Sequence, residues 1–119
     1  MSKPFILGID PSGSFKEGKG TTGFALLGPG CAIVEHEIVE AKNYKSQINY
    51  WIGVIKYIEI VIEYVHSLNK ELVLSVEDYV LYTASAKAQI NSEMETSKLI
   101  GAITLMAHQR GVPMYIRSA

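Results

Sequence analysis

The feature that most constrains this chain is an apolar run, Phe5-Ile-Leu-Gly-Ile9, that ends on a single carboxylate, Asp10. A short run without polar alternation fits a strand buried on both faces. Pro11 and Gly13 then force a turn. A second apolar run, Phe24 to Leu27, starts just after Thr21-Thr22-Gly23. A strand of this kind delivers its aspartate to the end of a sheet. An oxygen ligand there suits a divalent metal near a phosphate.

The rest of the chain extends this start into an alternating fold. Gly28-Pro29-Gly30 is turn punctuation, and Ala32 to Val39 reads as a third strand. There Glu35 and Glu37 alternate with Val34, His36 and Ile38, which predicts a half-exposed edge of three antiparallel strands. Ser46 to Asn69 reads as a long helix, with Ile48, Trp51, Ile52, Ile55, Ile58, Ile62 and Val65 on its apolar stripe. Lys56, Glu59 and Glu63 are expected on its solvent side. Leu72 to Val76 is a short buried strand that runs into Glu77-Asp78. Thr83 to Gln109 is helical in composition, with a break expected near Asn91 and a restart at the capping-box pattern Ser92-x-x-Glu95. Gly111 stops it, and Pro113 to Ile116 is a last short strand.

Composition narrows the function. The 119 residues fit one domain with one core. A net charge of −1 is not that of a bulk nucleic-acid binder, so a phosphate-binding surface has to be a local patch. One cysteine, Cys31, excludes an internal disulfide and suits a reducing cytosol; it reads as a small strand hydrophobe. No secretory signal is visible. The most membrane-like run, Ile48 to Leu68, carries Lys56, Glu59, Glu63 and His66, which excludes a simple spanning helix.

Asp10 and Glu77 are the sharpest chemical pair. Each ends an apolar strand, so neighbouring strands would bring both carboxylates to the same sheet end. Two such charges about 4 Å apart repel by roughly 4 kcal/mol at an effective dielectric of about 20. A bound Mg²⁺ relieves that repulsion. Asp78 competes with Glu77, because strand alternation lets only one of them face a given side.

Gly13-Ser-Phe-Lys-Glu-Gly18-Lys19-Gly20 has the glycine and lysine spacing of a P-loop but lacks the Ser or Thr after Lys19. It also leads into a strand, not a helix, and so loses most of a phosphate cradle. It reads better as a hairpin loop whose Lys16 and Lys19 reach a nucleic-acid backbone. Tyr79 and Tyr82 follow Glu77, where aromatics can stack on an unpaired base or pack at a turn. Lys87 and Lys98 are further candidates for phosphate contact. Glu95 reads as a helix cap before a third ligand. His36, His66 and His108 have no partner at metal-ligand spacing and read as structural.

With these residues in place, the chain resembles the RuvC family of Holliday junction resolvases, and most of all its small bacteriophage-type members. Leu7-Gly-Ile-Asp10-Pro-Ser and Thr22-Gly23-Phe24-Ala25 resemble the family's opening motif. Ser75-Val-Glu77-Asp-Tyr resembles its second-carboxylate strand, Lys98-Leu-Ile-Gly101-Ala-Ile the helix that follows, and Gly111-Val-Pro113 the approach to its last strand. The resemblance implies an α/β, ribonuclease H-like fold: a mixed five-stranded sheet, three strands antiparallel and two parallel, flanked by helices. It implies metal-assisted phosphodiester hydrolysis with Mg²⁺ or Mn²⁺, two ions in all, Asp10 bridging or anchoring them and Glu77 holding one. The implied activity is that of a crossover junction endodeoxyribonuclease in DNA recombination and repair. The partners implied are a branched DNA, the four-way junction, and a second copy in a homodimer. The place implied is the cytoplasm, or the host cytoplasm for a phage protein.

The resemblance also implies further acidic ligands on a helix after the last strand. The sequence reaches Arg117-Ser118-Ala119 at that point, so the expectation is a nuclease domain cut short there. Two other readings stand beside it. One is a non-cleaving nucleic-acid-binding or assembly module on the same fold. The other is a fragment of an actin-like ATPase or sugar kinase, which also opens on a strand, an aspartate and glycines but needs a second lobe.

Overall fold

The computed structural model describes residues 3–78 and 86–118. Strand β1 (Phe5–Asp10) pairs antiparallel with β2 (Thr21–Leu27), which pairs antiparallel with β3 (Ile33–Glu40). Helix α1 (Gln47–Ser67) leads to β4 (Leu72–Asp78), and helix α2 (Ala86–Arg110) leads to β5 (Met114–Ser118). Strands β4 and β5 are both parallel to β1, so the sheet order is β3-β2-β1-β4-β5. This is the expected mixed sheet of five strands, with the elements in the expected order.

The strands alternate in burial. Phe5, Leu7 and Ile9 of β1, Phe24 and Leu26 of β2, and Leu72, Leu74 and Val76 of β4 join one core. That core also takes Tyr50, Val54, Ile58, Val61, Ile62 and Val65 from α1, and Leu99, Ile100, Ile103, Met106 and Ala107 from α2. Both helices therefore cover the same sheet face. The other residues of β1 and β4, including Ile6, Gly8 and Asp10, are half-buried or exposed. Between the helices, Arg110 near the end of α2 pairs with Glu59 of α1. Among the described residues, no helix is long and apolar enough to cross a membrane.

Four expectations are corrected. First, β3 is exposed on both faces: Ile33, Val34 and Ile38 are each about half or more accessible, as are the glutamates between them. Helix α1 lies beside this strand near its end, where Val39 packs against the core, and leaves Ile33, Val34 and Ile38 accessible. Second, the buried side of α1 is centred on Tyr50, Val54 and Ile58, while Ile48 and Ile52 are exposed. A helix apolar on more than one side has several candidate stripes, and packing selects one.

Third, α2 runs without interruption through Asn91 and Ser92, so no capping box forms there. Glu95 lies inside the helix, and its carboxylate accepts a hydrogen bond from the Gln47 side chain of α1. Fourth, Cys31 is not a strand residue. It is exposed in the β2–β3 turn with φ of 63°, where Gly28 N–H donates to the Ala32 carbonyl at 2.9 Å.

Candidate metal and nucleic-acid site

Parallel pairing sets Ile9 opposite Val76, so the next residues along, Asp10 and Glu77, sit side by side at the same end of neighbouring strands. Neighbouring strands lie roughly 4.8 Å apart. Asp10 follows Ile6 and Gly8 on the face away from the helices, and Glu77 follows Val73 and Ser75 on that same face. Asp78 has the opposite parity, which settles the competition in favour of Glu77. Among the described residues neither Asp10 nor Glu77 forms an ion pair.

The two carboxylates open onto one shallow cavity of about 370 Å³, floored by Gly8, Gly23 and Ala25 and bordered by Arg117. A side chain at Gly23 would meet nothing within 4 Å, so the space beside Asp10 is open. Two adjacent hard-oxygen donors in an open groove fit Mg²⁺, which keeps several waters and takes one or two carboxylates plus substrate phosphates. The described residues hold no cluster of three or more metal-ligating side chains. A wider groove, about 660 Å³ between β3 and α1, includes neither carboxylate.

The loop after Asp10 is held by hydrogen bonds to both helices, buried at α2 and half-buried at α1. Gly13 N–H donates to the Thr96 hydroxyl of α2 at 2.9 Å. Trp51 Nε1 of α1 donates to the Gly13 carbonyl at 2.9 Å. Tyr50 donates its hydroxyl proton to the Ser12 carbonyl at 2.6 Å. The Thr22 hydroxyl lies 2.9 Å from the Tyr50 oxygen and accepts from Ser12 N–H at 3.2 Å. Tyr50 and Thr22 are fully buried and Thr96 nearly so. Sequence reasoning took Trp51 for plain core and gave Thr22, Tyr50 and Thr96 no role. A hydroxyl on an apolar helix face was the only signal.

The remaining candidates are scattered. Loop 11–20 leads into β2 and not into a helix, which removes the P-loop reading. Lys19 is paired with Glu17 at 3.0 Å, and this hydrogen-bonded ion pair lowers the Glu17 pKa. Lys16 is exposed and shares a cleft of about 370 Å³ with Lys98, Ser14, Phe15, Gln47 and Glu95. This cleft lies on the helix side of the sheet end that carries Asp10. Tyr79 and Tyr82 lie outside the described residues, as does the side chain of Lys87. His36, His66 and His108 are exposed.

No protein-family model and no curated protein sequence matches the chain. Its fold does match solved structures. Thermus thermophilus RuvC in complex with a Holliday junction substrate superposes with a TM-score of 0.69 at 19% identity, over 97% of this chain and 65% of that one. A second Thermus thermophilus RuvC structure matches with a TM-score of 0.60 at 19% identity, over 96% of this chain. The chain thus has the RuvC-type, ribonuclease H-like fold, and it spans 65% and 61% of the lengths of these two neighbours.

Proposed function

We propose that this chain is the nuclease domain of a metal-dependent, structure-selective DNA endonuclease that resolves four-way junctions by paired nicking. The observation that carries the reading is the Asp10–Glu77 pair, two unpaired carboxylates side by side at one sheet end over an open groove. In this reading Asp10 and Glu77 hold Mg²⁺ or Mn²⁺. The chemistry such ions supply when bound is activation of water and stabilisation of charge on the phosphoryl oxygens.

The chain's own residues do the positioning. Gly8, Gly23 and Ala25 leave room for a DNA backbone to approach the carboxylates. The Ser12–Gly13 loop, tied to Tyr50, Trp51 and Thr96, fixes the turn that follows Asp10. Lys16 and Lys98 border a cleft that suits a second stretch of phosphates. We place two copies on one junction, since two symmetric nicks need two sites related by a two-fold axis. The fold shared with RuvC, one of whose structures holds a Holliday junction substrate, supports the choice of branched DNA.

A second reading is junction binding without cleavage. It draws on the ligand set, which among the described residues stops at two carboxylates. Nicking of a labelled synthetic junction, compared between the chain and its Asp10→Asn variant, separates the two.

A further inference from the structure

Arg117 has no place in the sequence reading of the site. The β4–β5 register sets it opposite Glu77. Asp10 pairs with Gly23 on the other side. Gly23, Asp10, Glu77 and Arg117 therefore form one row across four neighbouring strands, and all four border the same cavity. A guanidinium carried on the fourth strand of that row starts roughly 10 Å from Asp10, at two strand spacings. Its side chain is long enough to reach a group seated above Glu77.

Arg117 is exposed and forms no ion pair among the described residues. Three other cations do pair with close carboxylates: Lys19 with Glu17, Lys42 with Glu40, Arg110 with Glu59. Arg117 stands beside Glu77 and remains unpaired. The open groove, the two carboxylates and the free cation make a site with both signs of charge along one line. A phosphodiester brought to the carboxylates meets like charge from two sides, and the guanidinium is the one cation in the row. Its planar fork matches two phosphate oxygens at once.

We infer that Arg117 binds a phosphate of the DNA strand held at the Asp10–Glu77 pair and orients it for attack. The inference rests on the nuclease reading for the attack, but the phosphate contact can be read without it. The experiment compares the chain with Arg117→Gln and Arg117→Lys on a labelled four-way junction. Nicking is measured in Mg²⁺, and binding is measured in Ca²⁺ over a series of salt concentrations.

The expected result is a nicking rate lower by on the order of 10²-fold in Arg117→Gln, the loss typical of a donor to a developing oxyanion. The slope of log affinity against log salt should also fall by about one per bound copy. Arg117→Lys should keep the slope and recover part of the rate. A variant Arg117→Gln that nicks at the normal rate with an unchanged slope would overturn the inference. So would one that nicks faster at low Mg²⁺ with an unchanged slope, since Arg117 would then be an internal partner of Glu77. If the unaltered chain never nicks but Arg117→Gln still lowers the slope, the nuclease reading fails and the phosphate contact stands.

Discussion

Gly13 lies so close to the Glu95–Thr96 backbone of α2 that a side chain on it would overlap the Glu95 carbonyl and come within 2.7 Å of the Thr96 nitrogen. The turn that follows Asp10 is thus packed backbone to backbone against a helix far away in sequence.

Gly13→Ala should therefore cost about 1–3 kcal/mol, the range for overpacking a tight contact. Gly101, exposed inside α2 with open space around it, should behave in the opposite way. Gly101→Ala should add about 0.5–1 kcal/mol by raising helix propensity. Chemical denaturation of both variants checks the pair, and equal effects in the same direction would contradict this packing.

Tyr50→Phe removes the proton that the Ser12 carbonyl accepts and one of the partners of the buried Thr22 hydroxyl, which keeps its contacts with the Ser12 backbone. Losing these bonds while the remaining ones persist should cost roughly 0.5–1.5 kcal/mol. Hydrogen exchange should speed up at Ser12 and Gly13 before it does in the sheet. Unchanged exchange in that loop would show that the network does not hold it.

Without metal, Asp10 and Glu77 repel each other. Asp10→Asn removes one of these two charges at an exposed position and should raise stability in EDTA by about 0.5 kcal/mol. Mg²⁺ should raise the melting temperature of the unaltered chain and leave that of Asp10→Asn nearly unmoved. A melting temperature that rises equally in both would place the metal elsewhere.

Burial pushes the Tyr57 pKa up to about 12, with Glu35 and Glu37 adding to the shift. A folded pKa above the ordinary value of about 10 gives a stabilisation that is present below pH 10 and lost as pH rises toward 12. Phenolate absorbance should show a late-titrating tyrosine that disappears in Tyr57→Phe. A titration curve unchanged by that substitution would contradict the assignment.

Much of this was legible in the sequence. The apolar runs before Asp10 and Glu77 are strands as expected, but each is buried on one face and not on both, because both helices pack on the side of Leu7, Ile9, Leu74 and Val76. Their adjacency was a condition of the Asp10–Glu77 reading, and the parallel β1–β4 pairing meets it. What the sequence could not carry was register. Whether Glu77 or Asp78 shares the face of Asp10, and that Arg117 stands opposite Glu77, depends on strand alignments that no local pattern encodes. The stripe of α1 was right at Ile58, Ile62 and Val65, with Trp51 and Ile55 partly buried, and wrong at its start, because Ile48 and Ile52 are as apolar as Val54. The break at Asn91 was expected from a capping pattern. The uninterrupted α2 overrides that local preference, and Glu95 bonds Gln47 instead. Cys31 was misassigned because its composition says small hydrophobe, while the turn needs a residue with positive φ.

The central claim is that Asp10 and Glu77 make this chain a junction nuclease. The most direct measurement is cleavage of a four-way junction labelled on each strand, with Mg²⁺ or Mn²⁺, by the chain and by Asp10→Asn. The account predicts symmetric paired nicks near the branch point that vanish in Asp10→Asn while junction binding persists. Tight junction binding with no nicks under either metal would contradict it and leave the binding reading in its place.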